Sequence, residues 1–141
     1  MKRILVLCTG NSARSQMGEG VLKPLDAGLD VHSGVTQPPA RVNPLAIRAI
    51  KEIGINMEGE TPKNVQGFVS QSFDYVITVS DDADRNCPHF QGKVGKRVHI
   101  GFPDPAEATG ADDEKMAVFR EVRDAIRAQF GFYQSTIRKG P

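Results

Sequence analysis

A strand, a loop and the start of a helix follow one another directly near the beginning of the chain. Residues 4–7 form an apolar run without polar interruption, which is typical of a short strand buried in a parallel sheet. A seven-residue loop from Cys8 to Arg14 follows, and a helical pattern begins at Ser15. Such a loop directs backbone N–H groups inward and ends on a helix N-terminus, and both features bind an anion. The segment therefore predicts an α/β fold with an oxyanion site where the first strand ends.

Two side chains of this loop supply chemistry, and the alternative for both is an ordinary strand–helix turn around a buried cysteine. The planar guanidinium of Arg14 can hold two oxygens of an anion at once. The thiol of Cys8 lies in the positive field of the loop, so we expect a lowered pKa and a nucleophilic thiolate. Ser15 can donate to the Cys8 sulfur or cap the helix, and the two roles are compatible. The residues that would surround the anion are Thr9, Gly10, Asn11, Ser12, Ala13, Arg14 and Ser15.

The composition favours a globular protein with a single domain (residues 1–141) and a local anion site. The 141 residues suffice for one hydrophobic core but not for two. The 18 lysines and arginines nearly balance the 17 aspartates and glutamates, so no global field favours nucleic acid or an anionic membrane. No apolar run approaches the length of a membrane span, and no signal-peptide cleavage site follows the N-terminal apolar run. We therefore expect a cytoplasmic protein, in which a pair of cysteines is more typical of catalysis or redox chemistry than of a disulfide framework.

The rest of the chain alternates between strand and helix patterns. Strands are predicted at residues 29–34, 75–79 and 97–100, and Asn43 with Pro44 opens a helix that ends at Gly54. A short helix is expected around residues 63–68, and residues 80–90 are predicted as loop with about one helical turn. A long amphipathic helix is predicted from residue 112 to about 132, with a frayed tail at 135–141. This order predicts a three-layer sandwich, with helices on both faces of a four-stranded parallel sheet and the Cys8 loop at its topological switch point.

Asp104 is the candidate general acid. An oxygen that leaves a tetrahedral oxyanion needs a proton, so a carboxylic acid should face the nucleophile. Asp104 lies between Pro103 and Pro105 in a stiff loop after the strand at residues 97–100, and such loops often place a group over a site. An exposed aspartate in a turn is the alternative.

The Cys8 loop resembles the C-x5-R phosphate loop of the low-molecular-weight tyrosine phosphatase superfamily. Its longer string, Cys-Thr-Gly-Asn-Ser-Ala-Arg-Ser-Gln-Met at residues 8–17, is similar to the arsenate reductase branch of that superfamily. Residues 101–106 resemble the family's Asp-Pro segment, whose aspartate is the general acid, and residues 119–124 also resemble the reductase branch. The resemblance spans nearly the whole chain. It implies that the Cys8 thiolate attacks arsenate, and that some phosphatase activity remains.

Residues 80–88 are similar to the redox segment of thioredoxin-coupled arsenate reductases, in which two cysteines seven positions apart relay a disulfide outward. Cys87 matches the second cysteine, but Ser80 stands at the first, so the three-thiol relay is broken. Three explanations remain open: a serine introduced by an experimenter, direct resolution of the Cys8 adduct by Cys87, or an external thiol. The alternative for Cys87 is a structural thiol. The resemblance implies thioredoxin or a glutathione-type small thiol as reductant, and no bound cofactor is expected.

No metal site is predicted. The three histidines share no ligand spacing with each other or with either cysteine. In part of the family a potassium ion lies beside the Cys loop, and Asn11, Glu19 and Ser33 match its ligand positions. Lys63 stands at the acidic ligand position, so its ammonium can replace the ion; a solvated surface lysine is the alternative.

Two further functions remain open. One is a tyrosine or small-ester phosphatase, in which water hydrolyses a phospho-Cys8 intermediate. Gln16 opposes it, because the phosphatase branch tends to carry proline there, and so does Ala106, where tyrosine often follows the Asp-Pro pair. The other is a non-catalytic oxyanion-binding protein, which would need an ordinary pKa at Cys8; a pH titration of Cys8 alkylation measures that pKa.

Overall fold

The described part of the chain contains a four-stranded parallel sheet. The computed structural model describes residues 2–8, 13–25, 28–36, 43–57, 63–105 and 108–139. The strands are β1 (Lys2–Cys8), β2 (Leu29–Val35), β3 (Phe73–Thr78) and β4 (Val94–His99), and their order in the sheet is β2-β1-β3-β4. All three strand pairings are parallel. The predicted fold class and the four predicted strands are confirmed.

Helices connect these strands. They are α1 (Ala13–Leu25), α2 (Pro44–Lys51), α3 (Asp81–Arg85) and α4 (Asp112–Lys139), with one 3₁₀ turn at Val65–Gly67. Helix α1 packs against both α2 and α4, so these three form one layer over the sheet. Helix α3 and the 3₁₀ turn cover the other face. The predicted short helix near residues 63–68 is therefore a single 3₁₀ turn, and the helical turn expected within residues 80–90 is α3.

Helix α2 shows how local signals set the bounds of an element. The side-chain oxygen of Asn43 accepts a hydrogen bond from the Leu45 N–H at 2.9 Å, and Pro44 is the first helical residue. After the helix, Gly54 adopts a φ of 87°, a left-handed conformation that a residue with a Cβ rarely takes. The predicted start of this helix is confirmed, but the helix ends at Lys51, three residues before the predicted end at Gly54.

Helix α4 is longer than predicted. The sequence placed its end near residue 132, but the helix continues to Lys139. That prediction is wrong because polar composition indicates exposure to solvent rather than loss of helical structure. No glycine or proline, the two strong helix breakers, lies between Gly131 and Gly140.

The central strand β1 positions the site. Because side chains alternate across a strand, Ile4, Val6 and Cys8 enter the larger core beneath α1, α2 and α4, whereas Leu5 and Leu7 enter the smaller core on the α3 side. Strand β2 lies on one side of β1 and β3 on the other, so the chain order reverses at β1. Ligands of such sheets bind beyond the carboxyl end of the strands at this point, and Cys8 is the last residue of β1.

Candidate active site

The sheet fixes the position of the predicted nucleophile. Cys8 is fully buried, on the side of α1, α2 and α4. Backbone hydrogen bonds hold the end of its strand on both sides: the Thr36 N–H donates to the Cys8 carbonyl at 3.2 Å, and the Val79 N–H donates to the Leu7 carbonyl at 2.9 Å. The sulfur is therefore carried by a rigid element rather than by a surface loop.

Ser15 lies against the sulfur. It is fully buried in the first turn of α1, and its hydroxyl donates to the Cys8 Sγ over 3.4 Å. The backbone of Ser15 also hydrogen-bonds Cys8. The turn that directly follows the loop thus directs two donors at one thiol, as the sequence predicted for the hydroxyl.

Burial raises the pKa of the Cys8 thiol above its usual value. The side chain and backbone of Ser15 lower this pKa, and the charge of Arg14 lowers it less, whereas the charge of Asp104 raises it. The predicted net lowering of the pKa is therefore wrong. In a site this deeply buried, desolvation of the thiolate outweighs the groups that stabilise its charge.

Arg14 reaches from α1 to the segment that follows β4. Its Nη1 donates to the Phe102 carbonyl at 2.9 Å, and its Nη2 lies 3.8 Å from Oδ2 of Asp104. The side chain is only 8% exposed. Its Nε is buried and has no hydrogen-bond acceptor among the residues that the structure describes. A bound oxyanion would supply the acceptor that this buried donor requires.

The loop after β4 brings Asp104 to the same end of the sheet. The Ile100 N–H donates to the Thr78 carbonyl at 2.9 Å and the Phe102 N–H donates to the Val79 carbonyl at 3.1 Å, so the loop continues along the end of β3. The Asp104 side chain is 19% exposed, and its charge acts on the Cys8 thiol. The structure therefore brings together Cys8, Arg14, Ser15 and Asp104.

Four residues of the predicted anion loop lie outside the described part of the chain: Thr9, Gly10, Asn11 and Ser12. Ala13 is described, as the buried first residue of α1. The backbone cradle around the anion stays a prediction.

Ser80 and Cys87 flank helix α3. The Ser80 hydroxyl is buried and accepts a hydrogen bond from the Ala83 N–H at 3.2 Å, which is the contact of a helix N-cap. Cys87 is half-buried and packs against the smaller core, on the opposite face of the sheet from Cys8. Burial raises the pKa of Cys87, and neither cysteine is in a disulfide.

A buried carboxylate lies one helical turn beyond Ser15. The Ser33 hydroxyl donates to Oε1 of Glu19 at 2.6 Å, and the Lys23 ammonium lies 2.7 Å from Oε2. The ammonium of Lys23 therefore lies against Glu19, and Lys63 is exposed; replacement of the ion by Lys63 stays a prediction. No cluster of three or more His, Cys, Asp or Glu side chains that could hold a metal occurs among the described residues. Independence from potassium stays a prediction.

Two contacts of the site were not predicted from the sequence. The pairing of Glu19 with Lys23 had a signal, because residues four apart are neighbours on a helix surface. The contact of Arg14 with the Phe102 carbonyl had none, because a backbone carbonyl belongs to no side-chain pattern. It joins residues 88 positions apart in the chain.

The chain is similar to known proteins over nearly its whole length. A family model described as low molecular weight phosphotyrosine protein phosphatase matches residues 3–140. The chain belongs to this family. Curated relatives within it include the arsenate reductase of Halalkalibacterium halodurans, 43% identical with 96% of each chain covered. The arsenate reductase of Bacillus subtilis is 40% identical, with 89% of each chain covered.

Solved structures share the architecture. One described as an arsenate reductase in the phosphate binding state is similar with a TM-score of 0.73 and 28% identity, and the match covers 99% of this chain and 98% of that one. Another, in the intermediate state, has a TM-score of 0.77 and 29% identity over 97% and 99% of the two chains. A Vibrio vulnificus protein in complex with benzylphosphonate has the same fold at 19% identity, with a TM-score of 0.79 over 96% and 98%.

The long helix α4 is not a membrane span. Within the described ranges, no helix of this family member is both long and apolar enough to cross a bilayer.

Proposed function

We propose that this family member is an arsenate reductase. The observation that carries the proposal is the contact of Arg14 with Asp104, 3.8 Å apart, beside the buried thiol of Cys8. It supports a site in which an anion-binding cation, a proton donor and a nucleophile act together at one strand end. Phosphate and arsenate would bind there alike, and the relatives named arsenate reductases at 40% and 43% identity support arsenate as the substrate.

The first step forms a bond between sulfur and arsenic. Arsenate binds at the end of β1, where Arg14 and the N-terminus of α1 stabilise its negative oxygens. The Cys8 thiolate, favoured by the Ser15 hydroxyl, attacks arsenic. Asp104 donates a proton to the departing oxygen, which leaves as water. The product is an As(V) adduct on the Cys8 sulfur.

The second step reduces arsenic. A second thiolate attacks the Cys8 sulfur, so that a disulfide forms and the sulfur–arsenic bond breaks. The bonding electron pair stays on arsenic, which becomes As(III) and leaves as arsenite. Two thiols lose two electrons in total, and arsenic gains them.

We infer that the second thiol comes from outside the chain. Ser80 carries no sulfur and serves as a helix cap. Cys87, the other cysteine, packs on the opposite face of the sheet from Cys8 and is half-buried there. An external reductant, either thioredoxin or a glutathione-type thiol, therefore resolves the adduct. We place the protein in the cytoplasm, where such thiols are kept reduced.

The test is arsenite production by the purified protein in three parallel reactions. One contains thioredoxin with its reductase, one contains glutathione with glutaredoxin, and one contains no thiol system. Each is repeated with Cys8→Ser, Cys87→Ser and Ser80→Cys. We expect turnover with one thiol system, its loss in C8S and its retention in C87S.

Other outcomes identify other mechanisms. Loss of turnover in C87S would contradict the external thiol and show that Cys87 resolves the adduct. Turnover only in S80C would show that the chain needs a cysteine at that position. Arsenate binding without turnover in any reaction would identify a binding protein. The raised pKa of Cys8 does not by itself distinguish a binding protein from a reductase.

A phosphatase is the second candidate, because the matching family is described by phosphotyrosine phosphatase activity. In that case water would attack a phospho-Cys8 intermediate. Hydrolysis of an aryl phosphate at a rate that exceeds arsenite production would replace the reductase with the phosphatase. We expect slow hydrolysis instead.

A further inference from the structure

Phe102 connects the loop after β4, which carries Asp104, to the rest of the site through three independent contacts. Its N–H donates to the Val79 carbonyl at the end of β3, and its own carbonyl accepts from Arg14 Nη1 at 2.9 Å. Its ring lies on the ring of Phe130 in α4, edge to face, with centroids 6.1 Å apart and an interplanar angle of 74°. A residue two positions before the acid is thus attached to β3, α1 and α4.

The surroundings of the Phe102 ring are closely packed. Phe130 is 1% exposed and Phe102 is 8% exposed. On its other side the Phe130 ring meets Gly18 of α1, where an added Cβ would lie only 2.8 Å from Cε2. The Phe130 ring therefore has little freedom to move, and an aromatic pair in this geometry is directional as well as apolar.

Arg14 contacts both ends of the short segment that Phe102 begins. It holds the Phe102 carbonyl with one terminal nitrogen and faces the Asp104 carboxylate with the other. A shift of Phe102 would displace the hydrogen-bond acceptor of Arg14 and the backbone that carries Asp104 together. No other side chain described in the site has this double effect.

We propose that Phe102 is a positioning residue, whose ring, seated on Phe130, sets the guanidinium of Arg14 and the carboxyl of Asp104 over Cys8. The inference rests on the proposed function for the role of Asp104, and on geometry alone for Arg14. Phe102 touches neither the sulfur nor the anion in this assignment. It acts through Arg14 and Asp104, so its effect must depend on those two residues being present.

The test is a double-mutant cycle between Phe102→Ala and Asp104→Asn, measured as kcat and KM for arsenite production. Because small displacements of catalytic groups slow reactions strongly, we expect F102A to lower kcat about tenfold to hundredfold. In the D104N background the same change should cost less, because no acid remains to be displaced and only the contribution through Arg14 is left. Equal losses in both backgrounds would overturn the positioning of Asp104 by Phe102, since a merely structural role does not depend on Asp104.

A second measurement tests whether Phe102 positions Arg14, and it does not require arsenate turnover. Inorganic phosphate should protect Cys8 from alkylation, and F102A should weaken this protection about tenfold, since the ring no longer holds in place the backbone carbonyl that Arg14 binds. Unchanged protection would overturn the positioning of Arg14. If the wild-type chain produces no arsenite, the proposed function fails, but the phosphate measurement still decides the role of Phe102.

Two further variants separate positioning from folding. Phe102→Leu keeps an apolar side chain at this position and is the variant to use if F102A does not fold; it should show the same dependence on Asp104. Phe90→Leu is the matched control, because it removes a comparable edge-to-face contact, with Phe73 at 6.2 Å, on the other face of the sheet. F90L should lower the melting temperature without changing phosphate protection. If F90L weakened phosphate protection as much as F102L does, the proposal would be contradicted.

Discussion

At the scale of single residues, the reactivity of Cys8 is set by opposing effects on one sulfur. Burial disfavours the thiolate, whereas Ser15 and Arg14 favour it. The Ser15 hydroxyl is the largest of the favourable contributions, and it is held in the first turn of α1 at 3.4 Å. A hydrogen bond to a charged group stabilises it by about 1.5–3 kcal/mol, more than a bond between neutral groups does.

The first prediction concerns this hydroxyl. Ser15→Ala removes the donor while it leaves the backbone contact, so the pKa of Cys8 should rise further and kcat should fall about tenfold or more. The rate of Cys8 alkylation against pH measures the change as an upward shift of the midpoint. Ser72→Ala, which removes an exposed serine hydroxyl far from the site, is the control and should leave the midpoint in place. A midpoint that does not move in S15A would show that the hydroxyl does not stabilise the thiolate.

At the scale of elements, helices α2 and α4 are joined by a charged clamp. Arg120 and Arg123 of α4 both bind the Glu52 carboxylate just after α2, with N–O distances of 2.7 and 2.8 Å. Arg123 is buried and also donates to the Ala49 carbonyl at 2.9 Å. The hydrogen bonds from Arg120, followed by those from Arg123, lower the pKa of Glu52 to about 2 from its usual 4.5.

The second prediction is a pH dependence of stability. The folded pKa of Glu52 is lower than the unfolded one, so the clamp stabilises the fold fully above pH 4.5 and its contribution is lost as the pH falls towards 2. Glu52→Gln should therefore lower the melting temperature at pH 7, and the gap from the wild type should close on acidification. Glu121→Gln, an exposed glutamate on the same helix, is the control. A gap that stays constant from pH 7 to pH 2 would exclude the clamp as an electrostatic contribution.

At the scale of the whole molecule, the sheet separates two environments. Its larger core holds Cys8 beneath α1, α2 and α4, and its smaller core holds Cys87 beside α3. The proposed anion site lies at the end of β1, where two distant parts of the chain meet: Cys8 with Arg14 and Ser15, and Asp104. A bound oxyanion would therefore connect α1 to the loop after β4 and stabilise the entire fold.

The third prediction follows from this linkage. A ligand that binds only the folded state at about 100 times its Kd adds about 2.7 kcal/mol to stability. Inorganic phosphate should raise the melting temperature of the wild type by several degrees. Arg14→Gln should remove most of the shift, because the anion loses its planar bidentate partner. Arg48→Gln, an exposed arginine of α2, is the control and should keep the shift; an equal shift in R14Q would place the phosphate elsewhere.

Local signals in the sequence predicted the parts of the fold that depend on neighbours in the chain. The run at residues 4–7 and the spacing of Cys8 from Arg14 predicted a strand, a loop and a helix start, and Asn43 with Pro44 predicted the start of α2. These signals are local, because backbone hydrogen bonds and caps involve residues a few positions apart. The alternation of strands and helices then implied the parallel sheet and its switch point.

The surroundings of each functional group follow from the packing of distant elements and could not be predicted from the sequence. The pKa of Cys8 depends on how deeply the packed core buries its thiol, and the sequence pattern alone led to the wrong direction. The contact of Arg14 with Phe102 and the separation of Cys87 from Cys8 by the sheet also join or divide distant segments. Such relations depend on how whole elements pack. Periodicity shows which side of a strand is buried, but packing determines what that side is buried against and how strongly it is desolvated.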